Sequence, residues 1–173
     1  VPLSVYEGLL FLFCLFSGLL LIFCGLKRWG LYSSRFLLAE YICLLFCSTV
    51  VFRNFSENKK YDFQPFWSYS ALKDGREVLF VENLMNVVVF IPIGLLLCLT
   101  FRNIKWWNAM LIGCCISVSI EALQYFFHRG FSEFDDLMHN TLGCLIGYGM
   151  CRLFVMIIRY ESKQPILTYC KKS

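Results

Sequence analysis

Glu121, Gln124, His128 and Arg129 stand on one side of a short turn, and Asp135, Asp136, His139 and Asn140 on the other. All lie within the stretch Ser119–Tyr148, which begins inside one apolar run and ends inside another. An ionisable side chain inside a membrane-length apolar segment is costly, so it points to a function or to a partner. Several occur together here. Glu121, Gln124 and His128 are spaced to form one stripe on a helix, and Asp136, His139, Asn140, Gly143 and Gly147 form another. Glu121 and Asp136 are candidates for a catalytic acid–base pair. Arg129 is suited to clamp a phosphate or carboxylate of a lipid head group. Asn86, Gln124, Asp135 and Asn140 are further candidates for holding the same ligand. His128 and His139 with Asp135 or Asp136 have metal-ligand types, but the spacing matches no standard site, so no metal or cofactor is expected. Neither a Ser-His-Asp arrangement nor a phosphate loop stands out.

The structural alternative is a buried polar staple that holds three helices together. Interhelical hydrogen bonds contribute only about 1 kcal/mol each, and Asn and Ser would suffice for them. Glu121, Asp135 and Asp136 near Arg129 go beyond that need.

The elements that must position these residues are apolar. Of the 173 residues, 58% are hydrophobic and 18% aromatic, and the mean hydropathy is +0.63. A soluble domain averages about half apolar, and eighteen phenylalanines with nine tyrosines are too many for one water-soluble core of this size. The composition predicts an integral membrane protein of one domain over 1–173; with the apolar runs it predicts an all-α, polytopic bundle of about five transmembrane helices, in which the polar stripes would face one another or an outward-facing polar pocket. Most of the ten cysteines fall in apolar runs and none in the polar loop from Arg53 to Glu82. They read as packing residues and not as a disulfide framework or zinc site.

The apolar runs predict helices at 5–26, 36–52, 82–101, 106–127 and 135–158, with an external loop at 53–81. Glu7 precedes the first run and Lys27 and Arg28 follow it, the reverse of a signal peptide, so it reads as a retained helix. Glu40 reads as an end-of-helix carboxylate paired with Arg35 or reaching the interface. Phe66, Trp67 and Tyr69 in the loop suit the headgroup level, as do Trp106 and Trp107. Pro92 predicts a kink near Val88 and a freed carbonyl that another helix or water must satisfy. Gly143 and Gly147, four apart, predict close helix packing.

Basic residues set the orientation. With five spans, ten Lys and Arg fall on the side of loop 27–35, turn 102–105 and the C-terminus, against six on the other side. This predicts a multi-pass cell-membrane protein with the N-terminus outside and the C-terminus in the cytoplasm. The net charge of +4 is therefore a topology signal, and no nucleic-acid partner is expected.

Two sets of residues resemble the VanZ-like family. One is the segment NVVVFIPIGLLL, with Asn86, Phe90, Pro92 and Gly94. The other runs from Glu121 and Gln124 through Arg129-Gly130-Phe131-Ser132 and Asp135-Asp136 to Asn140-Thr141-Leu142-Gly143 and Gly147. Gln64-Pro65-Phe66 is similar to a short Asn/Pro/Phe stretch of that family, and the resemblance covers roughly residues 41–158. His139 stands where relatives usually carry an apolar residue. The resemblance implies a multi-pass bacterial membrane protein, mostly of Gram-positive organisms, related to a founding member that raises resistance to teicoplanin.

Three functions follow as expectations. The first is an envelope-facing protein that acts on or with a lipid or lipid-linked component and lowers glycopeptide access, through Glu121, Gln124, Arg129, Asp136, Asn140 and Asn86. Its partners would be membrane lipids, a lipid-linked cell-wall precursor or a glycopeptide antibiotic. The second is a lipid transporter using the same pocket, which the apolar inner halves of the helices and the lack of an inverted repeat disfavour. The third is a non-catalytic membrane scaffold. Residue types alone do not decide whether the protein is an enzyme.

Overall fold

A computed structural model of the chain describes residues 30–57, 61–101 and 103–163. The expected helix at 5–26 lies outside the described residues. Helix α1 (Gly30–Phe46) continues into a π-helical turn at Cys47–Val51. A two-residue strand β1 (Tyr61–Asp62) and the short helix α2 (Trp67–Lys73) follow. Then come α3 (Val78–Thr100), α4 (Trp106–Phe127), strand β2 (Ser132–Glu133) and α5 (Phe134–Lys163). Four described segments are long and apolar enough to cross a membrane: Ser34–Val51, Val78–Thr100, Trp106–Phe127 and Phe134–Ile158. The architecture is an all-α membrane bundle.

Local chemistry explains where the elements depart from expectation. Ser48 and Thr49 hydroxyls both donate to the Leu45 carbonyl, at 2.9 and 2.7 Å. Such back-bonding competes with the regular ladder, and the turn widens until Phe52 N–H reaches Cys47 O at 2.9 Å. Within the region expected as a plain external loop, Trp67–Lys73 is helical. Its N-terminus is capped from elsewhere in the chain, as described below. Helix α3 starts four residues earlier than expected because Val78–Val81 extends its apolar run.

Helix α3 runs through Pro92 without interruption. The Tyr41 hydroxyl of α1, almost fully buried, donates to Val89 O at 2.7 Å. The carbonyl whose usual donor Pro92 removes is that of Val88, one residue earlier, so this bond ties α1 to α3 beside the proline without itself reaching the freed carbonyl.

Helix α5 lies along α3 at close range. A Cβ on Gly143 would overlap the Val87 carbonyl, one on Gly147 the Ile91 carbonyl, and one on Gly94 the Cys144 carbonyl. Only glycine permits this approach. Tyr41, Leu45, Phe90, Ile93, Leu97, Ile120 and Cys144 fill the core between α1, α3, α4 and α5.

Candidate functional site

The α4–α5 connection and α2 close one end of the bundle. Strand β2 pairs in parallel with β1, Tyr61 opposite Ser132 and Asp62 opposite Glu133. Helix α5 then begins with Asp135 and Asp136 in its first turn, where carboxylates complement the helix dipole. The two neighbours point to different partners.

Asp135 is 1% exposed. One of its oxygens accepts the Phe66 N–H at 2.6 Å, and the other accepts the Ser68 N–H at 3.0 Å and the Ser68 hydroxyl at 2.6 Å. Asn83 Nδ2 donates to Ser68 Oγ at 3.2 Å. Phe66 takes a left-handed conformation (φ 64°) and its own side chain does not cap α2. Asp135 therefore caps α2 from across the fold and latches it to α5.

Asp136 accepts from Asn86 Nδ2 at 2.6 Å, which joins α5 to α3. Its carboxylate lies within electrostatic range of Glu121 and Glu133, and the Arg53 guanidinium lies within range of both Glu121 and Asp136. Glu121 Oε2 accepts the Glu133 N–H at 2.9 Å, and the Glu121 carbonyl accepts from Ser132 Oγ at 3.2 Å. Trp67 Nε1 donates to Glu133 Oε2 at 3.0 Å. Burial pushes Glu133 up to about 8, and the Asp136 carboxylate adds to the rise, while the Trp67 bond opposes it.

The other sequence candidates are held elsewhere. Arg129, read from sequence as the anion clamp, has its guanidinium on the Val51 and Arg53 carbonyls, so it caps the end of the π-helical turn. Its backbone N–H bonds Gln124 O at 2.9 Å. Gln124 Nε2 donates to Thr49 O at 3.1 Å, while its buried Oε1 has no hydrogen-bond partner. Asn140 Nδ2 donates to Ser117 Oγ at 2.9 Å and ties α5 to α4 in the interior. His128 does not continue the α4 stripe. It ends the helix in a left-handed conformation (φ 55°) and stacks on Phe55 with centroids 5.9 Å apart. His139 Nε2 shares a 2.8 Å hydrogen bond with Tyr69 Oη. Among the described residues, no three His, Cys, Asp or Glu side chains are placed to hold a metal ion.

The structure thus brings Glu121, Asp136 and Asn86 together and adds Arg53 and Glu133, which the sequence reading left in loops. The signal for Arg53 was its position directly after an apolar span on the same side of the membrane as Glu121. For Glu133 it was adjacency to the Asp135-Asp136 pair.

Beside Glu121 and Glu133 a cavity of about 310 Å³ opens between α4 and α5. Phe63, Val118, Ala122, Phe126, Phe134 and Leu137 line most of it. Val118, Phe126 and Phe134 are exposed on the membrane-spanning surface. Glu121 therefore borders both a polar cluster and an apolar groove that opens on the exposed apolar surface of the bundle.

The profile of the VanZ/LLP1 family matches residues 9–155. The chain belongs to the VanZ/LLP1 family. Protein VanZ of Enterococcus faecium is 34% identical to it over 74 residues, which cover 41% of this chain and 46% of that relative. The chain thus spans less than half of that relative's length in the match. No solved structure matches.

Proposed function

We propose that this VanZ-family protein acts at the outer face of the cytoplasmic membrane, on or with a lipid or lipid-linked envelope component, and lowers susceptibility to lipoglycopeptides such as teicoplanin. The observation that carries this reading is the position of Glu121. Its carboxylate stands between the Asp136–Asn86–Arg53 cluster and the apolar groove between α4 and α5. An amphiphile arriving from the bilayer would lay its chain in the groove and bring its polar end to Glu121. Asp136, fixed by Asn86, is the second carboxylate there, and the pair supplies a proton acceptor and, when one member holds a proton, a donor. Arg53 supplies the nearby positive charge. Arg129 positions the turn that carries Arg53 and does not itself meet the ligand.

The test is a susceptibility assay in a sensitive Gram-positive host, with teicoplanin and vancomycin, comparing wild type with Glu121→Gln and Asp136→Asn at matched membrane abundance. Protection by wild type that both variants lose supports a working carboxylate site. Protection that survives both changes favours the scaffold reading, in which the same cluster only joins helices. No protection from wild type removes the resistance proposal.

A further inference from the structure

The end of the bundle away from these carboxylates holds a second, larger cavity of about 460 Å³ at the α3–α4 turn. Asn103, Lys105, Trp106, Trp107, Tyr148 and Arg152 line it. Its charged lining residues, Lys105 and Arg152, are both cationic and both exposed. They come from separate elements, the turn and α5, and the fold holds them in register. Tyr148 Oη donates to Ile104 O at 3.0 Å, which pins the turn to α5 one helical turn before Arg152. Trp106 and Trp107 are exposed beside the two cations, and amphipathic rings of this type settle at headgroup depth. Helix α4 starts here behind an extended Lys105 with no side-chain cap, so its first N–H groups add to the positive end of the cavity.

We propose that this cavity binds the phosphate of an anionic glycerophospholipid, in the leaflet opposite to the carboxylate site. Two cations with no carboxylate among the lining residues select a negative group. The adjacent tryptophans and the exposed apolar faces of α4 and α5 select one attached to acyl chains. Phosphatidylglycerol has this chemistry and phosphatidylcholine, a zwitterion, does not. The proposal does not depend on what the carboxylate site does.

The experiment uses the full chain in nanodiscs of phosphatidylcholine, titrated with phosphatidylglycerol, with lipid retention read by native mass spectrometry and melting followed in parallel. Wild type should retain phosphatidylglycerol about tenfold or more over phosphatidylcholine and melt higher as it is added. The Lys105→Ala/Arg152→Ala double variant should lose the preference, while Lys105→Arg/Arg152→Lys, which keeps both charges, should retain it. The charge-retaining variant keeps the test decisive where the alanine variant fails to fold. Equal retention of the two lipids by wild type overturns the proposal. So does a preference that survives in the alanine variant, or full displacement by inorganic phosphate, which would mark a free-anion site.

Discussion

Helix α5 has two long neighbours and meets them in opposite ways. Against α3 the backbones nearly touch, with Gly143 and Gly147 under the Val87 and Ile91 carbonyls and Gly94 under Cys144. Against α4 the contact is close over the N-terminal half of α4, where Gly113 receives the Cys144 side chain, Cys144 Sγ lies 3.3 Å from Ala109 O and Asn140 meets Ser117. Toward the end that carries the carboxylates, Val118, Glu121 and Phe126 face Phe134 and Leu137 across a groove. Lipid tails are as apolar as Leu, so helices in a bilayer gain little from apolar contact alone. They close where small residues admit the backbone and part where bulky ones do not. One seam is therefore a rigid support, and the other leaves a groove between its helices.

The largest expected effect comes from breaking the closed seam. Gly147→Ala sets a methyl against the Ile91 carbonyl, which belongs to a helix backbone and cannot swing aside. Overpacking of this kind costs about 1–3 kcal/mol, and here we expect the upper end. A methyl on Gly149, on the same helix, would meet nothing within 4 Å, so Gly149→Ala should be neutral or slightly stabilising. Melting in detergent or nanodiscs distinguishes the two. Equal melting of both variants would remove the claim that glycine sets the α3–α5 distance.

Next in size is the contrast between adjacent carboxylates. Asp135 accepts three bonds from Phe66 and Ser68, and an Asn there must turn an amine toward donors. Asp135→Asn should cost about 1–3 kcal/mol and should speed hydrogen exchange across Trp67–Lys73. Asp136→Asn keeps an oxygen for Asn86 Nδ2 and should leave that exchange unchanged. If both variants loosen α2 equally, the division between a latching and an open carboxylate is wrong.

The seams differ in how far the sequence reveals them. The spacing of Gly143 and Gly147 announces close packing, and the apolar run 106–127 coincides with α4 because its ends are marked by Trp106 and His128. The run at 36–52 blurs into a π-turn because Ser48 and Thr49 redirect their hydroxyls to Leu45 O, a choice that residue type alone does not dictate. Helix α2 is invisible to periodicity, since its seven residues depend on a cap from Asp135 far along the chain. Charge is legible but aim is not. Arg129 and Arg53 look alike in sequence, yet the left-handed His128 and the short bridge between Phe55 and Arg129 turn the Arg129 guanidinium back onto the Val51 carbonyl. Glu133 reads as a loop residue until the β1–β2 pairing places it beside Glu121.

The smallest expected effect lies on the open seam, at Glu133. Its carboxyl ordinarily titrates near 4.5 and is pushed up to about 8, chiefly by burial. Between these values the folded protein holds a proton that the unfolded chain has released, so stability falls as pH rises through that window. Glu133→Gln keeps an oxygen for the Trp67 N–H and removes the titration. Its melting temperature should fall less than that of wild type between about pH 5 and pH 8. Solvent screening of this partly exposed side chain holds the difference under about 1 kcal/mol. Identical slopes would mean that water already reaches Glu133 freely, and that the groove beside it is wet. A flatter slope in the variant would mean a dry groove, as an acyl chain requires.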